Sequence, residues 1–143
     1  MGTVKEAADR HLAAFNAKDA DAFVANESPD MEFVLPGAIT LRGRAQVRDY
    51  IRIFWRAFPD GTVNQEGQIL APDVAVTESV FSGTHTGPLS TPSGEIPATG
   101  KQVRLRQVAV QRVTDGLISS EHLYFDQLEL LGQLGILPTG AKA

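Results

Sequence analysis

The sequence predicts an α+β domain with helices packed on one face of an antiparallel sheet. Two observations carry this: helical periodicity dominates the first 58 residues, and alternating, β-rich runs joined by turn signals dominate residues 62–125. A third is length, since 143 residues suit one hydrophobic core. The sequence contains no internal repeat or low-complexity tract, so residues 1–143 read as one domain with a core at about 4–138 and a short flexible tail.

Thr3 and Glu6 form a capping-box pattern, and Val4, Ala8, His11, Leu12 and Phe15 recur at helical spacing behind it. Asp19 is placed to cap a short second helix that must stop near Pro29. MEFVLPG then alternates as a short strand before Pro36 and Gly37 break it. From Arg44 to Phe58 the apolar set Val47, Ile51, Phe54, Trp55 and Phe58 forms the strongest helical stripe in the chain, ended by Pro59, Asp60 and Gly61. Strands are expected over about 62–70, 74–86, 101–113 and 117–125, with Asp115-Gly116 as a tight hairpin turn. Asp126 opens a leucine-rich terminal helix, and Pro138 and Gly140 lead into the tail.

Composition narrows function by exclusion. Hydrophobic residues make up 43% and charged residues 21%, as in ordinary globular chains. A formal net charge of -4 offers no field for a polyanion, so nucleic acid is not expected as a partner. The absence of cysteine removes disulfides, thiolate metal sites and cysteine nucleophiles. No apolar run reaches the ~20 residues of a membrane span, and the N-terminus lacks a secretory pattern, so a cytoplasmic location without membrane contact is expected. Neither nucleotide-loop, zincin nor nucleophile-elbow motifs occur, and His11, His85 and His122 lack ligand spacing; no metal and no cofactor are expected.

Four features could carry chemistry. Period-two alternation puts His122, Tyr124 and Asp126 on one face of their strand and Glu121, Leu123 and Phe125 on the other. If the first face lines an apolar pocket, desolvation raises the Asp126 pKa toward acid-base use; if Asp126 caps the following helix, its pKa falls instead. On the preceding strand Gln107 and Gln111 stand among apolar neighbours, with Leu105 and Ala109 on the same face, and each amide must find a partner or a ligand. The loop at 87–100 is long enough to be a lid. Arg44, Arg48, Arg52 and Arg56 recur every fourth residue, a solvated face or a weak docking surface for an acidic carrier protein.

Together AAFNAKDAD, FSGTHTGPL, PATGKQVRLRQVAVQRVTDG and FDQLELLGQLG resemble the SnoaL-like polyketide cyclases of the nuclear-transport-factor-2-like superfamily, over about Val4 to Pro138. The resemblance implies a cone-shaped α+β barrel around a deep apolar cavity, a homodimer formed through the sheet, and no cofactor. It implies Asp126 as general acid/base and Gln107 as its helper, and it favours a pocket placement for Asp126. Where the cyclases carry a histidine two residues beyond that glutamine, this chain has Ala109, leaving His122 or His85 as stand-ins. Phe15, Trp55, Leu105, Ala109, Tyr124 and His85 complete the expected substrate wall. The resulting expectation is a cofactor-independent cyclase or isomerase acting on an apolar or polycyclic carbonyl compound. A ligand-binding domain without turnover and an epoxide-hydrolase-like activator of water are the alternatives, although Arg104, Arg106 and Arg112 fall on the opposite parity from Gln107.

Overall fold

Thr3 caps the first helix as its pattern predicts: its hydroxyl accepts from the Glu6 amide, and α1 runs Val4–Asn16. The computed structural model describes residues 3–91 and 94–136, so the tail expected beyond Pro138 lies outside the described residues. Asp19 accepts from the Ala22 amide at the start of α2 (Ala20–Ala25), and α3 spans Gly43–Ala57. The strands are β1 (Glu27–Leu35), β2 (Ile39–Arg42), β3 (Thr62–Leu70), β4 (Val74–Thr84), β5 (Leu89–Thr91), β6 (Gly94–Ile96), β7 (Gln102–Thr114) and β8 (Leu117–Tyr124). Helix α4 follows at Gln127–Gln133.

Six strands form one sheet in the order β2-β1-β8-β7-β4-β3, antiparallel except where β1 runs parallel to β8. Two differences from the sequence expectation have simple causes. Strand β1 begins four residues earlier than MEFVLPG, and Pro29 sits inside it, in the stretch between Glu27 and Glu32 where the register with β8 breaks. Proline has no N–H to give a ladder, so it is tolerated at such an irregularity. The long loop at 87–100 is partly ordered: β5 pairs with β6, and Leu89 is buried against Phe58, Leu105 and Leu134. Gly87 fastens its start, because a Cβ there would lie 2.0 Å from the Arg56 carbonyl oxygen. The Asp115-Gly116 turn has φ of +53° and +78°, the mirror-image geometry that suits a right-twisted hairpin.

The core has two parts. Phe23, Val24, Met31, Phe33, Val47, Trp55 and Ile118 pack α2 and α3 on β1 and β8, while Phe58, Phe81, Val103, Leu105 and Leu134 close the other end. Phe15 and Phe54 touch both clusters. Between them the curved sheet and its helices leave a hollow.

Candidate active site

The hollow is a cavity of about 130 Å³ with an apolar wall. Helices α1 and α3 contribute Leu12, Phe15, Tyr50, Ile51 and Phe54, and the concave sheet face contributes Phe33, Val63, Phe81, Leu105, Ala109, Leu123 and Phe125. Besides Tyr50 on α3 and Thr77 on β4, polar groups enter this wall in two clusters. At one end His11, Gln111 and Glu121 face the cavity; toward the other stand Gln65, Ser79 and Gln107.

The first group is a buried relay. His11 projects from the apolar stripe of α1, and its Nε2 lies 2.9 Å from Glu27 Oε2. Gln111 and Glu121 are register partners on β7 and β8, and Gln111 Nε2 donates to Glu121 Oε1 at 2.8 Å. The same amide nitrogen is 3.3 Å from His11 Nδ1, which is itself 3.7 Å from Glu121 Oε1. An amide has two hydrogens, so Gln111 can serve both acceptors. In that arrangement Nε2–H donates to Glu27 and Nδ1 accepts from the Gln111 amide. Phe23 stacks on the imidazole with centroids 3.8 Å apart and fixes its plane. Glu27 is fully buried behind the ring, with Oε1 unpartnered among the described residues. Burial pushes the Glu121 carboxyl above the usual carboxylate range; His11 and the Gln111 hydrogen bond pull it back, and Glu27 pushes it up again. Tyr50 is also driven upward by burial, so its phenol stays protonated and remains a hydrogen-bond donor.

The expected site residues divide sharply. Phe15, Leu105, Gln107 and Ala109 line the cavity. Asp126 does not: its carboxylate accepts from the Leu128 and Glu129 amides at 2.9 and 3.2 Å, capping α4 on the surface. His122 and Tyr124 share that outward parity, His122 opposite Val110 and Val34, and Tyr124 57% exposed. Apolar Leu123 near the end of β8 and Phe125 just beyond it face inward, and Glu121 shares their parity. His85 is buried away from the cavity; its Nδ1 accepts from the Thr99 amide at 3.2 Å, and burial lowers its pKa. Trp55 is core, edge-on to Phe15 and Phe23.

Residue order alone had signals for part of the relay. His11 sits on an apolar helical stripe, Gln111 on an apolar strand face, and Glu121 shares parity with Leu123 and Phe125. Glu27 gave none, because it precedes the alternating run. The arginine series is mostly engaged: Arg44 donates to the Glu27 carbonyl, Arg48 pairs with Asp21 and Arg56 with Glu95. Those contacts compensate the like charges.

The model of the SnoaL-like polyketide cyclases matches residues 5–134. The chain belongs to this family. No curated protein sequence matches it. Among solved structures, TsrD from Streptomyces laurentii is 27% identical with a TM-score of 0.79, over 94% of this chain and 96% of its own. A protein of Jannaschia sp. CCS1 assigned to the SnoaL-like polyketide cyclases is 19% identical with a TM-score of 0.83, over 94% and 92%. A Catenulispora acidiphila protein with a ketosteroid-isomerase-like fold, in complex with trimethylamine, is 20% identical with a TM-score of 0.78, over 99% and 100%. The fold of this family member is therefore the nuclear-transport-factor-2-like one. Among the described residues no helix is long and apolar enough to cross a membrane, and no group of acidic and histidine side chains has a metal-holding arrangement.

Proposed function

We propose that this SnoaL-like protein is a cofactor-independent acid-base enzyme, a cyclase or isomerase that moves a proton α to a carbonyl. The observation that carries the proposal is the relay of Glu27, His11, Gln111 and Glu121 opening onto an apolar cavity. Glu121 takes the proton: its raised pKa brings a carboxylate closer to the range where proton transfer at neutral pH is efficient. Gln111 holds the accepting oxygen, and the His11 ring, fixed by Glu27 and Phe23, steadies the Gln111 amide through Nδ1. Tyr50 donates to the oxygen of the developing enolate, in a water-poor site where one preorganised donor counts for more than in solvent. The imidazole of His11 takes the place that the resemblance left to His122 or His85.

The free volume favours a compact substrate, since sites for drug-sized ligands run to ~300–1,000 Å³. Solvent deuterium exchange at the α-carbons of 2-tetralone, followed by proton NMR, tests the proposal. Exchange above the buffer rate in the wild type and at the buffer rate in Glu121→Gln is the expected pair of results. Equal exchange by both proteins rejects Glu121 as the base.

A second reading is favoured by the aromatic wall. Phe15, Phe23, Phe33, Phe54, Phe81 and Phe125 surround a site that also holds a carboxyl group, and such a box suits a small organic cation bound without turnover. The trimethylamine complex of the Catenulispora relative is in keeping with it. Tetralone exchange that stays at the buffer rate, together with saturable trimethylammonium binding, would favour this reading.

Self-association through the outer sheet face belongs to the same proposal. Ile69, Val76, Val110, His122 and Val34 form one row across five strands there, and Ile69 is 69% exposed. Light scattering on the purified protein reads a dimer mass if this face pairs with a second copy.

A further inference from the structure

Gln65 pairs in register with Ser79, and Ser79 with Gln107, so three polar side chains stand abreast on β3, β4 and β7. All three face the cavity, in a wall whose next row toward the closed end is Val63, Phe81 and Leu105. Nearby polar groups satisfy one another, Thr77 with Gln68 and Gln111 with Glu121, whereas these three have no side-chain partner among the described residues. Ser79 is only 4% exposed, and Gln65 lies exposed at the rim on the edge strand. The Ser79 hydroxyl and the half-buried Gln107 amide thus face the hollow with hydrogen-bonding capacity that water or a ligand oxygen can take up. The group carries no charge and offers both donors and acceptors, which suits a hydroxyl or carbonyl better than an ion.

Geometry sets the length of what would reach it. Gln107 and Gln111 are four residues apart on β7, roughly 13 Å between Cα atoms, and Glu121 lies opposite Gln111. Thr77, Ala109 and Leu123 form the mostly apolar row between. With a contact of about 2.8 Å at each end, a ligand touching both polar rows holds the two atoms that make those contacts roughly 7–8 Å apart. Two fused six-membered rings with oxygens at opposite ends meet that requirement, and their bulk suits a cavity of about 130 Å³.

We propose that Gln65, Ser79 and Gln107 form a second polar subsite that holds the far hydroxyl or carbonyl of a two-ring ketone whose reacting carbon lies at Glu121. The inference rests on the acid-base reading of Glu121 for its substrate class, but its test is an equilibrium measurement and needs no turnover. Calorimetric titration of 6-hydroxy-2-tetralone and 2-tetralone into the wild type, Ser79→Ala, Gln107→Leu and Glu121→Gln separates the two ideas. The hydroxy ketone is expected to bind the wild type about ten-fold more tightly than the parent, the upper range for one well-made hydrogen bond. Ser79→Ala and Gln107→Leu should each shrink that preference to within about two-fold, while Glu121→Gln keeps it and loses exchange. Equal binding of both ketones by the wild type, failure of both to bind, or a preference that survives in Ser79→Ala and Gln107→Leu overturns the subsite. A preserved preference with exchange unaffected in Glu121→Gln overturns the acid-base reading alone. Ser79→Ala removes a single oxygen, so it remains a valid test should Gln107→Leu fail to fold.

Discussion

Strand β8 shows opposite faces to opposite media, and the difference is instructive. Inward, Glu121, Leu123 and the following Phe125 meet the cavity; outward, His122, Tyr124 and then Asp126 meet the sheet's outer face and solvent. Glu121 and Asp126 are both carboxylic acids, five residues apart. One is desolvated and accepts from the Gln111 amide, with the His11 ring 3.7 Å away; the other accepts two backbone N–H bonds at a helix start. Residue type therefore does not fix the character of a carboxyl group. The side of the sheet does, because it decides whether water or hydrocarbon surrounds the charge.

The largest expected effect separates the two acids by activity. Glu121→Gln should lower α-proton exchange by roughly 10²–10⁴-fold, the usual worth of a positioned acid or base, whereas Asp126→Asn should stay within a few-fold of wild type. Comparable losses in both would erase the distinction between the faces. Next in size, His11→Ala strands Glu27 and Glu121 without their shared partner, and chemical denaturation should report a loss of about 3–5 kcal/mol.

The pH dependence of melting sharpens the comparison further. Because the native pKa of Glu121 is raised, the folded protein holds its proton longer than the unfolded chain, and the group's contribution is greatest below the ordinary glutamate value of about 4.3. It declines as pH rises from there through the native pKa. Melting temperatures of Glu121→Gln relative to wild type should accordingly improve from pH 4 to pH 8, and a flat difference would contradict a buried acid. Asp126→Ala, tested at neutral pH, should cost about 1 kcal/mol through loss of the α4 cap. His122→Ala is expected to change the stability of the isolated chain by no more than about 0.5 kcal/mol, as for surface positions generally.

The family, the α+β class and most element positions were legible from the residues in order. Capping by Thr3, Asp19 and Asp126, the stripe of α3 and the Asp115-Gly116 turn are local signals, read within a few residues by hydrogen bonding and periodicity. Strand β2 was not legible, since four residues carry too little alternation and depend on pairing with β1. The β5–β6 hairpin is anchored by Leu89 packing on distant Phe58, which no window on the loop can reveal.

By itself, then, the order of residues determined periodicities, caps and turns, and with them the kind of sheet and helices that form. It also determined that His122, Tyr124 and Asp126 share one parity and Glu121, Leu123 and Phe125 the other. Only the tertiary structure decided which parity faces inward. That choice is made by the summed burial of Leu123, Phe125 and their neighbours on β7 and β1, a cooperative and nonlocal quantity. The same closure brings together residues as distant as His11 and Gln111, whose side chains meet only because α1 lies across the sheet.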